Sequence, residues 1–116
     1  MNFTLVFLGG GIGCAVRYLI GLGFQRTGSS LPWATFASNI SACLIFGLVI
    51  WIMSTKEVLN PNIKLLLLTG FCGGLSTFSS FGYETFLLLK QSMYVYAFLN
   101  MAMSCGLCIF IFYLFN

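Results

Sequence analysis

Residues 70–81 hold the densest group of side chains and backbone groups that could act on an ion. They read GFCGGLSTFSSF, and residues 70–80 alone contain three glycines and four hydroxyl side chains. Glycine weakens a helix, and Ser and Thr hydroxyls compete for its backbone hydrogen bonds. We therefore predict that a helix is interrupted here, which leaves carbonyls free to hold a cation and N–H groups free to attract an anion. The alternative is an unbroken helix that uses its Gly and Ser residues for close packing.

Phe78 and Phe81 lie three residues apart within this motif, among hydroxyl side chains. An aromatic ring has a positive edge but no net charge, so ring edges could line a path for an anion without trapping it. The alternative is that both rings face lipid, as expected for most of the thirteen phenylalanines in the chain. Their position in the one polar segment favours the anion path.

Two other apolar segments also contain polar side chains. Asn39 follows Thr35 and Ser38 in one of them. The other set recurs every fourth residue and so shares one helix face, and it consists of Tyr96, Asn100, Ser104 and Cys108. Polar groups inside a membrane are costly and usually face the interior of a helix bundle. Hydrogen bonds between helices would explain the presence of one Asn inside a span. The presence of two polar sets, each with an Asn, favours a water-accessible path.

Arg17 lies inside the first apolar segment, on one helix face with Gly9, Gly13 and Gly21. Glycines four residues apart allow another helix to approach closely. A charge at this depth must pair with an acid, cap the carbonyl end of a helix, or make a vestibule electropositive. Glu84 is a candidate for that acid, or for a residue at the mouth of the path.

These residues must be positioned by helices in a lipid bilayer. The chain is 59% hydrophobic and only 6% charged, whereas a soluble domain has about 25% charged residues. A membrane helix needs about 20 residues, and polar loops divide the chain into four apolar segments. We predict an all-α integral membrane protein with one domain over residues 1–116, whose spans cover 3–24, 32–53, 63–89 and 93–115.

Composition also excludes several functional classes. The chain has no His, and Glu57 and Glu84 are its only side-chain carboxylates, so we predict that it is not an enzyme. Its five Lys and Arg residues form no basic run, which argues against binding to nucleic acid. The odd number of cysteines, all in apolar runs, argues against a disulfide framework. We interpret the Cys105 and Cys108 pair as two small apolar side chains on one helix face.

The loop charges leave the orientation of the chain in the membrane undecided. Lys56 and Lys64 would lie on one side, and Arg26 and Lys90 on the other. Orientation follows an excess of Lys and Arg on the cytoplasmic side, and here neither side has an excess. We therefore predict insertion in both orientations, which permits an antiparallel homodimer. The alternative is that a single residue or a partner chain fixes one orientation.

A small multidrug-type proton antiporter would also have about four spans and could insert both ways. Its chemistry requires a carboxylate within the first span, where protons exchange for cations. The first segment here contains Arg17 and no acid. We keep this transporter as the competing function.

The whole chain resembles the Fluc/CrcB family of fluoride channels. The resemblance is carried by GGGIGCAVRY at 9–18, the region from Asn39 to Gly47, the motif at 70–81, and the pair Asn100 and Ser104. It implies an antiparallel, dual-topology homodimer with paired pores in the inner (plasma) membrane, which exports fluoride passively. It also implies a structural Na⁺ at the centre of the dimer that is not transported.

The resemblance also implies roles for individual residues. Na⁺ would be held by the backbone carbonyls of Gly73 and Ser76. The pore residues would be Asn39, Phe78, Phe81, Ser79, Ser80, Asn100 and Ser104, with Arg17 and Glu84 at a vestibule or mouth. The chain departs from the usual family pattern at Ser76 and Ser80, where Thr is common, at Ala42, where Gly is usual, and at Asn100, where Tyr occurs.

Overall fold

A computed structural model describes residues 1–56 and 60–116 of the chain. These residues form helices, turns and loops, with no β-strand among them. The elements are α1 (Asn2–Gln25), α2 (Trp33–Thr55), α3 (Pro61–Lys64), a π-helical segment (Leu65–Cys72), α4 (Gly73–Leu75), α5 (Phe78–Lys90) and α6 (Tyr94–Leu114). Glu57, which falls in the predicted second loop, lies outside the described residues.

Four stretches of the described chain are long and apolar enough to cross a membrane. They are Asn2–Gln25, Trp33–Thr55, Pro61–Lys90 and Tyr94–Leu114. The third stretch contains α3, the π-helical segment, α4 and α5 in succession. The prediction of an all-helical chain with four membrane spans is confirmed, and the chain is a multi-pass membrane protein.

Local sequence explains where the spans begin and end. At the end of α1 the Thr27 hydroxyl donates to the Phe24 carbonyl over 2.7 Å, and Gly28 adopts a φ of 62°, which glycine reaches without steric cost. The third span opens with Asn60, whose side chain accepts a hydrogen bond from the Asn62 N–H at 2.9 Å. Pro61 follows at a position where its missing N–H costs nothing.

Helix α1 packs tightly against the third span because glycine occupies the contact. Gly9 and Gly13 are both buried. A Cβ atom on Gly9 would collide with the Leu66 carbonyl oxygen, and one on Gly13 would collide with the Phe71 carbonyl oxygen. Gly21 faces open space, so it takes no part in this contact although it shares the sequence spacing.

The interior of the chain is a small apolar cluster where α2 meets the third span. Ala42, Cys72 and Leu75 are almost fully buried in it. Elsewhere the described surface exposes large apolar side chains on each of the four spans. An exposed apolar surface of this extent is what a lipid-facing helix bundle presents.

Candidate functional site

Ser76 and Thr77 lie between α4 and α5 in the third span. Both residues are extended, with ψ of 152° at Ser76 and φ and ψ of −149° and 119° at Thr77. Helix α5 then begins at Phe78, and the Thr77 hydroxyl accepts a hydrogen bond from the Ser80 N–H at 3.4 Å. A Thr at this position is a favourable N-cap. This geometry is compatible with the predicted break, whose depth in the bilayer stays a prediction.

Asn39 of α2 binds the peptide groups of Thr77. Its Oδ1 accepts a hydrogen bond from the Thr77 N–H at 2.8 Å, and its Nδ2 donates to the Thr77 carbonyl over 3.4 Å. The amide side chain thus replaces helical partners that an extended residue cannot have. Its Nδ2 carries a second N–H, which is available to other acceptors.

Because the Thr77 and Ser80 N–H groups bind side chains, they do not bind the backbone carbonyls that would accept them in a continuous helix. In an α-helix the Thr77 N–H would bind the Gly73 carbonyl and the Ser80 N–H would bind the Ser76 carbonyl. Here the first N–H goes to Asn39 and the second to the Thr77 hydroxyl. The carbonyls of Gly73 and Ser76, predicted from the sequence as cation ligands, therefore both lack their helical donors.

Neighbouring carbonyls in the same turn are satisfied. The Cys72 carbonyl accepts from the Ser76 N–H at 3.0 Å and from the Ser76 hydroxyl at 2.9 Å. Arg17 Nε donates to the Gly74 carbonyl over 3.1 Å. Of the three roles considered for Arg17, the structure therefore shows the capping of a carbonyl at the end of a helix.

The rings of Phe78 and Phe81 lie side by side after the interruption. Their centroids are 6.0 Å apart and their planes are tilted by 36°. Phe81 is half-buried, whereas 84% of the Phe78 surface is exposed in the single chain. Ser79 is exposed and Ser80 is half-buried beside them, and both hydroxyls lie within 3.5 Å of the Thr77 hydroxyl.

Both rings border a cavity that also receives polar groups from α2 and α6. The cavity has a volume of about 270 Å³, and it is lined by Asn39, Cys43, Ser76, Thr77, Phe78, Phe81, Ser104, Cys105 and Cys108. Five residues predicted from the sequence as site residues, Asn39, Ser76, Phe78, Phe81 and Ser104, are thus brought together. Ser79, Ser80 and Asn100 do not line this cavity.

Asn100 lies one turn from Ser104 and joins α6 to α5. Its Nδ2 donates to the Thr85 hydroxyl over 2.9 Å, and Ser104 Oγ lies 3.5 Å from its Oδ1. Thr85 in turn donates to the Phe81 carbonyl over 2.8 Å. The polar stripe of α6 therefore does form hydrogen bonds between helices, and it also contributes Ser104 and Cys108 to the cavity.

Glu84 and Arg17 have separate partners. The Thr35 hydroxyl donates to Glu84 Oε1 over 2.8 Å. The other carboxylate oxygen, Oε2, is buried and has no hydrogen-bond partner among the described residues. Since Arg17 binds the Gly74 carbonyl, the hydrogen bonds give no support to a pair between these two charges.

Three threonines contribute more than sequence analysis assigned to them. Thr77 provides the peptide groups that Asn39 binds, Thr35 binds Glu84, and Thr85 binds Asn100. Thr77 was detectable because Thr is a favoured N-cap residue at the start of a helical stretch. The partners of Thr35 and Thr85 depend on contacts between separate spans, which no local pattern encodes.

Comparison with known proteins shows the family to which the chain belongs. Residues 4–115 match the family described as "CrcB-like protein, Camphor Resistance (CrcB)". A protein of Phocaeicola vulgatus named "Fluoride-specific ion channel FluC" is 43% identical over 80% of this chain and 77% of its own length. A protein of the same name from Shewanella woodyi is 41% identical over 97% of this chain and 91% of its own length. Another from Chloroflexus aurantiacus is 44% identical over 78% of this chain and 72% of its own length.

Proposed function

The chain belongs to the CrcB family, whose members are ion channels and not enzymes, and from this premise we propose that it is a fluoride-selective channel. It would let fluoride leave the cell passively through the inner (plasma) membrane and so lower cytoplasmic fluoride. The observation that carries the proposal is the cavity in which Phe78 and Phe81 meet Asn39 and Ser104. The printed names of the relatives support fluoride as the ion.

The cavity suits a small anion that must give up its water. The second N–H of Asn39 can donate a hydrogen bond to fluoride in place of water, and the Ser104 hydroxyl can do so by turning from Asn100 Oδ1, to which it donates over a long 3.5 Å. The edges of the two phenylalanine rings add a weak positive potential. No Lys or Arg lines the cavity, so binding stays weak enough for the ion to leave, as conduction requires.

We propose further that two copies of the chain assemble as an antiparallel homodimer. The equal division of the four Lys and Arg residues outside the first span, two on each side, supports insertion in both orientations. The 84% exposure of Phe78 supports a second copy as well, because a pore-lining ring needs a wall on its far side. A paralogous chain would be the alternative partner.

The carbonyls of Gly73 and Ser76 support a structural Na⁺ at the centre of that dimer. Both have lost their helical donors, and oxygen ligands suit a hard cation. The ion would supply the positive charge that lets carbonyls from two copies face one another.

The proton antiporter gains no support from the structure. Helix α1 contains no carboxylate, and its one charged side chain, Arg17, binds the Gly74 carbonyl. The exchange of protons for a cation requires a carboxylate in this span. The channel is therefore the function we develop.

Fluoride accumulation in cells tests the proposal. Neutral HF enters at acidic external pH and dissociates inside, where the anion is trapped unless a channel releases it. Cells that lack their own fluoride exporter should hold less fluoride when they express this chain, as measured with a fluoride electrode after lysis. Equal accumulation with and without the protein, at verified membrane expression, would contradict the proposed function.

A further inference from the structure

The cavity beside the phenylalanine rings also contains three thiols from two helices. Cys43 comes from α2, and Cys105 and Cys108 come from α6. Cys43 and Cys108 border this one cavity from different helices. Both are half-buried, whereas Cys105 is exposed and Cys14 is exposed on α1. Two half-buried thiols from different spans thus line the same cavity.

We propose that Cys43 and Cys108 form a binding site for a soft monovalent cation of the Ag⁺ or Cu⁺ class, and that an ion bound there obstructs the anion path. The binding part of this proposal depends only on the two thiols. The obstruction depends on the proposed function, because it requires that the cavity conduct.

Ligand chemistry selects this class of cation. Sulfur ligands favour soft ions such as Cu(I), whereas Na⁺, Mg²⁺ and Ca²⁺ take oxygen ligands. Among the described residues, no carboxylate and no imidazole lines the cavity, so a hard divalent ion finds no charged ligand from them. The proposed Na⁺ site at Gly73 and Ser76 offers carbonyl oxygens instead, and the two sites would therefore discriminate between ions by hardness.

The charge balance of the site suits a membrane interior. The cation forms a bond to each sulfur, and one of the two thiols loses its proton to water in the cavity. One positive ion, one thiolate and one neutral thiol sum to zero charge. A neutral complex avoids the cost of burying a net charge away from water. No oxidant or reductant takes part.

The location of the site makes obstruction a direct consequence of binding. Cys108 lies one helical turn from Ser104 on the same face of α6, and Cys43 lies one turn from Asn39 on α2. The two thiols therefore occupy the next layer of the cavity beyond the proposed anion donors. An ion that bridges α2 and α6 in that layer fills space through which an anion must pass.

Silver retention by purified protein tests the binding part without any transport. The reduced protein in detergent and chloride-free buffer is loaded with AgF, washed with excess free methionine as a thioether competitor, and analysed for bound silver. The wild-type chain should retain a single silver ion. Cys43→Ser and Cys108→Ser should each lower silver affinity by at least about 100-fold, since even an outer partner of a metal ligand is worth about 10–100-fold.

Two further variants locate the site. Cys14→Ser should retain silver, because that thiol lies on α1 and lines none of the cavity. Cys105→Ser should also retain it, whereas a site made by the Cys105 and Cys108 pair would lose it. Equal silver retention in wild type and in Cys43→Ser/Cys108→Ser, or loss in Cys105→Ser as complete as in Cys43→Ser, would overturn the proposal. Alanine variants replace any serine variant that fails to purify.

Fluoride efflux from liposomes tests the obstruction, with each variant compared with its own silver-free rate. Silver should block the wild type and the Cys14→Ser variant, and dithiothreitol should restore both. The double variant Cys43→Ser/Cys108→Ser should be insensitive. Equal block of the double variant would overturn the obstruction. If wild-type liposomes passed no fluoride at all, the proposed function would fail, and the silver-retention result would still decide the binding site.

Discussion

Phe78 and Phe81 are the two aromatic side chains that line the proposed anion path. Replacement of either by Ile keeps the apolar volume roughly similar but removes the ring edge. We expect fluoride flux to fall roughly tenfold, because a ring contact worth about 1.5 kcal/mol corresponds to about a factor of ten in rate. Flux from liposomes containing Phe78→Ile or Phe81→Ile, compared with wild type at equal protein, measures the effect.

The control for this pair is a phenylalanine in the apolar end of α6 whose ring lies away from the site. Phe112 lies in that region but does not qualify, because its ring packs edge-on against Phe46 at 5.7 Å and lines a cavity with Ala42 and Ser76. Phe110 is a better choice because its ring is half-exposed on α6 and borders none of the cavities that contain the site residues. Near-normal flux in Phe78→Ile and Phe81→Ile, matching Phe110→Ile, would show that the rings only face lipid.

Asn39 should matter for stability as well as for flux. Asn39→Ala leaves the Thr77 N–H and carbonyl without the partners seen here. An unsatisfied buried group costs about 1–3 kcal/mol, so the thermal midpoint of the detergent-solubilised protein should drop. Ser38→Ala is the matched control one residue away. Its hydroxyl is buried and lacks a partner among the described residues, so its loss should be neutral or stabilising.

If Asn39→Ala and Ser38→Ala melted at the same temperature as wild type, the hydrogen bonds between Asn39 and Thr77 would make no contribution to stability.

The pairing of Asn39 with Thr77 also marks how far sequence can predict the site. Asn39 was predicted as polar and inward-facing, but its partner is 38 residues away. Nothing local to either residue indicates that one amide would bind both peptide groups of the other.

The third span shows the same division between local and long-range information. Its glycines and hydroxyls predict an interruption from local propensity alone, and the extended residues Ser76 and Thr77 are compatible with it. The four spans likewise follow from apolar run length. The π-helical stretch Leu65–Cys72 was not predicted, because its sequence LLLLTGFC carries no pattern that distinguishes it from an α-helix.

Gly73 and Gly74 are adjacent in the third span, and substitutions at them test two different contacts. Gly74 tests packing within one chain, and Gly73 tests the proposed contact between two chains. A Cβ atom on Gly74 would collide with the Gly10 carbonyl oxygen, whereas one on Gly73 would meet nothing within 4 Å in the single chain. Gly74→Ala should therefore destabilise the folded chain by about 1–3 kcal/mol, as overpacking does. Gly73→Val should fold but weaken the proposed dimer, as measured by glutaraldehyde crosslinking in Na⁺ buffer.

Ser76→Thr completes this series. Because the proposed cation ligand is the carbonyl, and Thr also carries the hydroxyl that binds the Cys72 carbonyl, this change should leave crosslinking and flux close to wild type. Replacement of Na⁺ by a large organic cation should reduce wild-type crosslinking. Unchanged crosslinking in Gly73→Val and in Na⁺-free buffer would contradict the carbonyl site.

The orientation of the whole chain is a separate question from its fold. Because the four Lys and Arg residues outside the first span divide two against two, small changes in loop charge should decide which way the chain inserts. Ser54→Lys with Thr55→Lys adds two charges at the end of α2 and should bias the chain to one orientation. A maleimide probe applied to intact cells should label only part of the population of chains that carry Ser29→Cys alone. The labelled fraction should change when Ser54→Lys and Thr55→Lys are also present.

Activity should follow orientation if the dimer is antiparallel. The biased chain should lose fluoride efflux when expressed alone and regain it with a copy biased the opposite way by two Lys residues in the loop between α1 and α2. Full labelling of Ser29→Cys from one side only, in an otherwise unmodified chain, would contradict insertion in both orientations.

Passive and selective fluoride flux is the property that defines the proposed channel, and the proposed roles of its residues depend on it. Liposomes containing the purified chain are loaded with fluoride, and efflux is started by valinomycin, which lets K⁺ carry the balancing charge with equal pH on both sides. We predict prompt fluoride efflux without a proton gradient, and far slower efflux when chloride replaces fluoride. Efflux that requires a proton gradient, or chloride efflux as fast as that of fluoride, would contradict the channel.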